Sequence, residues 1–136
     1  MSLPLLLRWI FLLQPKTTEM IKREVMAGDT FSIVYKHKPE GVLTDMPEAY
    51  NLMIGLHTEG GSKVETFSYQ DGDFEPQTEI GVYRWTIKHE LSKNLKGTVI
   101  AEMVLYSRDL SFVQHCGEPI KLTVIPSLIN EEIENE

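Results

Sequence analysis

The sequence predicts an all-β fold in a single domain, arranged as a sandwich or a barrel. Hydrophobic residues alternate with polar ones along much of the chain, which is the period of a strand with one buried face. Turn-forming residues recur at a spacing of roughly eight to twelve, as in sandwiches and barrels rather than parallel βαβ units. The chain has 136 residues, of which 42% are hydrophobic, and this is enough for one domain with its own core.

Seven or eight strands are predicted from the alternation. The clearest is Gly81–Lys88, in which Tyr83, Trp85 and Ile87 are expected to point into the core. The segment 98–106 is apolar on both faces, as expected of a central strand. The remaining predicted strands cover residues 22–27, 30–36, 50–57, 63–69, 110–113 and 120–124.

Helix-forming patterns are scarce, and turn signals separate the predicted strands. Residues 89–95 are expected to form at most a short helical turn, with Leu91 and Leu95 on one side as an apolar plug. Gly60-Gly61 and Asp71-Gly72 are predicted hairpin turns, because the favoured two-residue turns need a positive φ angle.

Residues 1–19 are predicted to be an N-terminal arm or a non-native extension. Their apolar run, Leu3–Leu13, is about half as long as the roughly 20 residues of a transmembrane helix, and Arg8 interrupts it. A secretory signal would carry basic residues before the run and a small-residue cleavage site after it, and this segment has neither. An arm could pack on the domain or on a neighbouring subunit. The other interpretation is that the native chain begins at Met20.

The rest of the chain is divided into a β-domain over residues 20–126 and an acidic tail over residues 127–136. The tail carries four glutamates and no basic residue, so we expect a solvated and frayed end. The whole chain has 13 basic and 20 acidic side chains and a net charge of −7. This balance argues against a nucleic-acid-binding protein, which needs clustered Lys and Arg to neutralise phosphates.

The sequence predicts no catalytic, cofactor-binding or metal-binding residues, and no cofactor. The carboxylates of Asp71, Asp73 and Glu75 lie close together but do not have the spacing of an EF-hand loop. Adjacent residues on a strand point to opposite faces, so His115 is not positioned to activate the thiol of Cys116. Cys116 is therefore expected to be a small buried or half-buried residue, and a single cysteine excludes an intrachain disulfide. The four histidines are dispersed without zinc-ligand spacing.

Aromatic side chains leave a second possibility open, a carbohydrate-binding platform. Sugars stack on exposed rings, whereas rings that alternate along a strand usually fill the core. Trp85 is expected to be a core residue. Exposed rings beside the 71–75 carboxylates would favour the sugar-binding alternative. The candidate rings are Tyr69, Phe74, Tyr83, Trp85, Tyr106 and Phe112.

Four motifs resemble the immunoglobulin-like β-sandwich modules of bacteriophage tail and baseplate proteins, in particular the N-terminal domain of baseplate upper proteins. A Gly-Asp-Thr turn within Met26–Tyr35 begins a strand, and a hydrophobic-Thr-Asp-hydrophobic step follows at Leu43–Met46. Gly81–Trp85 has the Gly-x-Tyr-x-hydrophobic pattern, and a Leu-x-Gly turn begins the long apolar run Leu95–Tyr106. The resemblance spans residues 21–126 and implies one immunoglobulin-like sandwich of about seven or eight antiparallel strands.

The resemblance implies a function without catalysis. Such modules are scaffolds and docking surfaces, so the expected protein is a non-enzymatic structural and interaction module, a phage or prophage tail or baseplate component. Its expected partners are proteins, either copies of itself in a homo-oligomer or other virion components, with no nucleic acid and no membrane span. The expected location is the virion, or the host cytoplasm during assembly. The alternative is a carbohydrate- or small-ligand-binding sandwich of a surface or secreted protein.

Overall fold

The computed structural model describes residues 21–136, and the predictions for residues 1–19 lie outside this range. Strands make up 45% of the described residues and two short helices make up 8%. The strands are β1 (Ile21–Met26), β2 (Phe31–Lys36), β3 (Tyr50–Thr58), β4 (Lys63–Ser68), β5 (Val82–Ile87), β6 (Gly97–Ser107), β7 (Val113–His115) and β8 (Ile120–Ile125). The helices are α1 (His89–Ser92) and α2 (Asn130–Glu134). Within residues 21–136, no helix is long and apolar enough to span a bilayer.

The strands form two sheets. The larger has six strands in the order β1-β8-β6-β3-β4, and β7 adds to β6 beyond the end of β8. The long strand β6 pairs with β8 through Gly97–Ala101 and with β7 through Val104–Tyr106. Strands β2 and β5 form a separate antiparallel sheet of two strands. The large sheet therefore extends well beyond the small one.

The core lies between the two sheets. Leu52, Ile54 and Leu56 alternate along β3 and are fully buried, as the period-two pattern requires. On the small sheet, Trp85 of β5 is 2% exposed, and its ring centroid lies 5.1 Å from that of Phe67. The two sheets thus share one apolar interior, which the large aromatic side chains of the small sheet help to fill.

The predicted fold class is confirmed: residues 21–136 form an all-β, sandwich-like fold of eight strands. The predicted short helical turn is α1; Leu91 within it is half-buried, and Leu95 shortly after it is buried. Gly61 adopts a positive φ angle of 93° in the turn of the β3–β4 hairpin, as predicted. Gly72 also has a positive φ angle, 80°, but the prediction of a hairpin at Asp71-Gly72 is wrong, because β4 pairs with β3 whereas β5 pairs with β2 in the other sheet.

Three further details differ from expectation. Strand β1 pairs with β8 in parallel, whereas antiparallel strands were expected. The strand expected at 110–113 begins instead at Val113, because Asp109 Oδ1 accepts hydrogen bonds from the N (2.9 Å) and Oγ (2.7 Å) of Ser111 and closes a tight turn. The expected frayed tail contains the second helix, α2, whose contacts with the domain are described below.

Candidate functional site

The connections that follow β2, β4 and β6 meet at one end of the sandwich. Antiparallel pairing places the end of one strand beside the start of the next, so residues 37–49, 69–81 and 108–112 come together there. Loops gathered at the end of a rigid sandwich are a common position for binding residues. We call this region the loop end.

Asp45 connects two of these loops. Its Oδ1 accepts hydrogen bonds from the backbone N of Gly81 (2.8 Å), from Nε2 of Gln77 (2.7 Å) and from the hydroxyl of Tyr83 (3.5 Å). The Tyr83 hydroxyl in turn accepts a hydrogen bond from the backbone N of Met46 (2.9 Å). The Gly81 N–H and then the Gln77 amide lower the pKa of Asp45, because both stabilise the ionised carboxylate.

Gly81 allows the two loops to approach each other closely. Its φ angle is +76°, and a Cβ at this position would lie 2.8 Å from the backbone N of Thr44 and 2.9 Å from its O. Only glycine fits both the left-handed conformation and this contact. The motifs Leu43–Met46 and Gly81–Trp85, which are far apart in the sequence, therefore form one structural unit.

A cleft of about 600 Å³ opens beside this unit. It is lined by three acidic residues, Asp45, Glu48 and Glu75, and by four aromatic residues, Tyr50, Tyr69, Phe74 and Tyr83. Gln70 closes one side, since its Nε2 donates to the Tyr50 carbonyl oxygen (2.8 Å) and its Oε1 accepts from Arg108. Acceptors, amide donors and ring faces can together hold a small polar ligand.

The candidate aromatic platform is mostly part of the core. Trp85 is 2% exposed, Tyr83 3% and Phe74 8%, whereas the other three candidate rings are half-buried. The prediction that Trp85 is a core residue is confirmed. Of the six candidate rings, Tyr69, Phe74 and Tyr83 line the cleft, and the first of these is the least buried of the three.

Of the 71–75 carboxylates, that of Asp73 stabilises a turn. Asp73 Oδ2 accepts a hydrogen bond from the backbone N of Ser68 (2.9 Å), and Ser68 Oγ accepts one from the N of Asp71 (3.1 Å). Within residues 21–136, no three His, Cys, Asp or Glu side chains are grouped so that they could hold a metal ion. These hydrogen bonds close the turn that follows β4.

Cys116 and His115 do not form a nucleophile and base. Cys116 is half-buried, as expected, and its burial raises the pKa of the thiol. His115 Nε2 lies instead 3.9 Å from Glu102 Oε2. A thiol with a raised pKa is a poor nucleophile at neutral pH.

The C-terminal tail is attached at the opposite end of the sandwich. Glu134 accepts hydrogen bonds from Nε2 of His89 (3.0 Å) and Nζ of Lys93 (2.9 Å), and Asn130 Nδ2 donates to the Ala27 carbonyl oxygen (2.8 Å). We call these contacts the tail latch. His89 Nδ1 also lies 2.8 Å from the Gly28 carbonyl oxygen.

The tail turns its apolar side chains outward. Leu128 is 95% exposed, Ile129 60% and Ile133 53%, while the polar side chains of the latch face the domain. Sequence reasoning missed this surface because the four glutamates dominated the pattern. The available signal was the four-residue spacing of Ile129, which directly precedes α2, and Ile133, which lies within it.

Comparison with known proteins gives no relative: no protein-family model matches the chain, and no curated protein matches it significantly in sequence.

Proposed function

We propose that this protein is a non-enzymatic structural and interaction module that works through protein–protein assembly with copies of itself, of the kind found in bacteriophage tails and baseplates. The observation that carries the proposal is the outward apolar face of the tail, formed by Leu128, Ile129 and Ile133. Polar contacts with His89 and Lys93 hold α2, which carries Ile133 and directly follows Ile129.

The polarity of the tail is the reverse of that expected for a helix that packs on its own domain. A surface helix of a monomer normally buries its apolar side and turns its charges to water. Here Glu134 and Asn130 face the domain, whereas Ile129 and Ile133 face solvent. Exposed apolar groups that are held in a fixed position are typical of a surface that another protein covers.

The phage setting of the proposal depends on the sequence resemblance over residues 21–126. Its motif pair Leu43–Met46 and Gly81–Trp85 corresponds to residues that contact each other at the loop end. A test of this setting is mass spectrometry of phage particles purified from the encoding strain. Peptides of this chain in intact particles are the expected result, and their absence from every particle would contradict the phage assignment.

The assembly proposal is tested by light scattering on the full chain. We expect an oligomer that a triple variant, Leu128→Ser, Ile129→Ser and Ile133→Ser, converts to a monomer or weakens by at least about tenfold in dissociation constant. The matched control is Val42→Ser with Ile80→Ser, two side chains that are 68% and 63% exposed elsewhere on the surface. A full chain that stays monomeric at all concentrations would overturn self-assembly.

The cleft at the loop end favours a second candidate function, the binding of a carbohydrate or another small polar ligand. Its carboxylates, amides and ring faces are the groups that bind sugars. Titration with neutral oligosaccharides, followed by the amide NMR signals of residues 69–77, tests it. We expect Glu75→Ala to abolish binding and the exposed Glu40→Ala to leave it unchanged.

A further inference from the structure

The outer face of the small sheet is basic. Tyr83 and Trp85 of β5 point into the core, so the alternate positions of β5 and of its partner β2 point to solvent. Lys36 and Arg84 occupy two of these outward positions, and both are exposed. Lys88 continues the alternation just after β5, because its backbone is extended (φ −98°, ψ 160°). The outward positions of these two strands include no acidic residue.

Neutral side chains fill the rest of this surface. Val34 lies opposite Arg84 in the register and is 39% exposed. The hydroxyl oxygens of Ser32 and Thr86 lie 2.8 Å apart, so one donates a hydrogen bond to the other. Apolar groups therefore lie between positive charges on this surface. We call the outward side chains of residues 32–36 and 82–88 the basic face.

The charges of the basic face are not neutralised within residues 21–136. In that range Lys36, Arg84 and Lys88 form no ion pair. Glu75 lies at the neighbouring edge of β5, where its backbone N donates to the Arg84 carbonyl oxygen (2.8 Å), but its carboxylate is in no ion pair of the same range. The basic face is therefore suited to a partner with acidic groups.

The outer face of the large sheet has a different charge pattern. Lys121 Nζ lies 2.9 Å from Glu59 Oε2, and His115 Nε2 lies 3.9 Å from Glu102 Oε2. Acidic and basic groups thus lie side by side there. The chain as a whole has a net charge of −7, so a face with basic groups alone stands out from the rest of the surface.

The tail has the composition that complements the basic face. Its apolar side chains are turned outward, as described above. Exposed glutamates that form no ion pair within the described range accompany them: Glu131, Glu132 and Glu136. Within one chain the tail does not cover the basic face, since Ile133 and Val34 are both exposed. A tail that covers this face must therefore come from another copy.

The two surfaces also match in size. Two strands about 4.8 Å apart give a face about 10 Å wide, which is close to the diameter of one helix. Both β2 and β5 have six residues and so extend about 20 Å. The five residues of α2 and the two before it span at most about 15 Å. The apolar part of the tail therefore fits along the small sheet.

We propose that the basic face binds the tail of a second copy of this chain. The outward apolar side chains of the tail pack on Val34, and the tail glutamates pair with Lys36, Arg84 and Lys88. Every copy offers one tail and one basic face, so a reciprocal dimer or a closed ring uses both. This proposal rests on the proposed self-assembly and names the surface that receives the tail.

Charge reversal on the basic face tests this contact by light scattering on the full chain. Lys36→Glu with Arg84→Glu should weaken assembly by at least about tenfold in dissociation constant, because it sets like charges against each other. The matched control, Lys22→Glu with Lys63→Glu, reverses two exposed charges on the large sheet and should assemble as the parent does. Equal weakening by both pairs, or by neither, would overturn the proposal.

A compensating variant distinguishes a direct contact from damage to the fold. Glu131→Lys with Glu132→Lys should by itself weaken assembly, because it sets a basic tail against the basic face. Mixing this variant with the Lys36→Glu, Arg84→Glu variant brings opposite charges together in both directions. We expect the mixture to regain the mass and the affinity of the parent oligomer. A mixture that assembles no better than its two components would overturn the proposal.

Cross-linking identifies the occupant of the basic face. A carbodiimide joins a carboxylate to an amine in contact with it, and a mixture of isotope-labelled and unlabelled full chains separates links between copies from links within one. We expect Glu131 or Glu132 of one copy to be joined to Lys36 or Lys88 of another. Links from these lysines to Glu19 would mean that residues 1–20 cover the face. That result, or tail links to other lysines alone, would overturn the proposal.

Failure of this contact and failure of self-assembly give different results. If the triple serine variant of the tail disrupts the oligomer but charge reversal on the basic face does not, the tail assembles through another surface and only the present proposal is wrong. A parent chain that stays monomeric at all concentrations overturns both.

Discussion

Glu134 Oε2 in α2 lies 3.0 Å from His89 Nε2 in α1, so this contact fixes the C-terminal helix to the domain. The imidazole is held on both sides, because its Nδ1 contacts the Gly28 carbonyl oxygen at 2.8 Å. Both contacts are with hydrogen-bond acceptors. The ring can donate to both only as the imidazolium, which connects the position of the tail to the protonation of one histidine.

The tail latch should depend on pH. The Gly28 carbonyl and then Glu134 raise the pKa of His89, while Lys93 and then His89 lower the pKa of Glu134. The other charged group that acts on His89, Glu90, raises its pKa in the same direction. His89 therefore stabilises the latch below its ordinary pKa of 6.5 and loses this effect as pH rises through the raised value. Glu134 contributes above its ordinary 4.5 and loses this effect as pH falls through the lowered value.

The latch should therefore be most stable between pH 4.5 and pH 6.5, the ordinary pKa values of Glu134 and His89, and should weaken at lower and at higher pH. Hydrogen exchange at the amides of Ile133 and Asn135, corrected for intrinsic rates, measures this. Glu134→Gln should remove most of the pH dependence of this protection, and Glu132→Gln should leave the pH dependence unchanged. Protection that does not vary with pH in the parent protein would show that the latch is not electrostatic.

Replacement of Trp85 tests the core. Trp85→Ala should lower the free energy of unfolding by about 3–5 kcal/mol, because it removes a nearly fully buried aromatic ring. Ser62→Ala, in an exposed turn, should change stability by less than about 0.5 kcal/mol. Urea denaturation measures both. A near-neutral Trp85→Ala would show that this ring does not help to hold the two sheets together.

Gly81 should tolerate no side chain. Gly81→Ala forces a Cβ to within 2.9 Å of the Thr44 backbone in a left-handed conformation, and we expect a loss of about 3 kcal/mol or more. Gly72 is the matched control, since its φ angle is +80° but nothing lies within 4 Å of its Cβ position. Gly72→Ala should therefore cost only about 1 kcal/mol. Similar losses for both variants would mean that the loops do not meet closely at Gly81.

One substitution should stabilise the protein. Leu110 has a φ angle of 62°, a left-handed conformation that is strained for leucine. Its side chain is 67% exposed, so its burial contributes little stability to offset this strain. Leu110→Gly should raise the free energy of unfolding by about 0.5–1 kcal/mol. Thermal or urea unfolding measures the gain. A loss of stability would show that the Leu110 side chain makes contacts that outweigh the backbone strain.

The fold was largely predictable because strand periodicity and turn chemistry are local properties. Period two identified Tyr83, Trp85 and Ile87 as inward residues, and all three are buried. The loop end was not predictable, since the contacts of Asp45 reach residues more than thirty positions away. The tail latch was not predictable for the same reason, since Glu134 contacts His89 and Lys93, which lie far from it in the sequence.

The sequence by itself determined the class of fold, the inward faces of the strands and the positions of the glycine turns, because each depends on neighbours a few residues apart. Only the tertiary structure decided that β1 pairs with β8 in parallel, that β2 and β5 form a separate sheet, and that Ile129 and Ile133 face water. These features depend on which distant segments pack together. That choice is made by the sum of many weak contacts across the whole molecule, and no short sequence pattern records it.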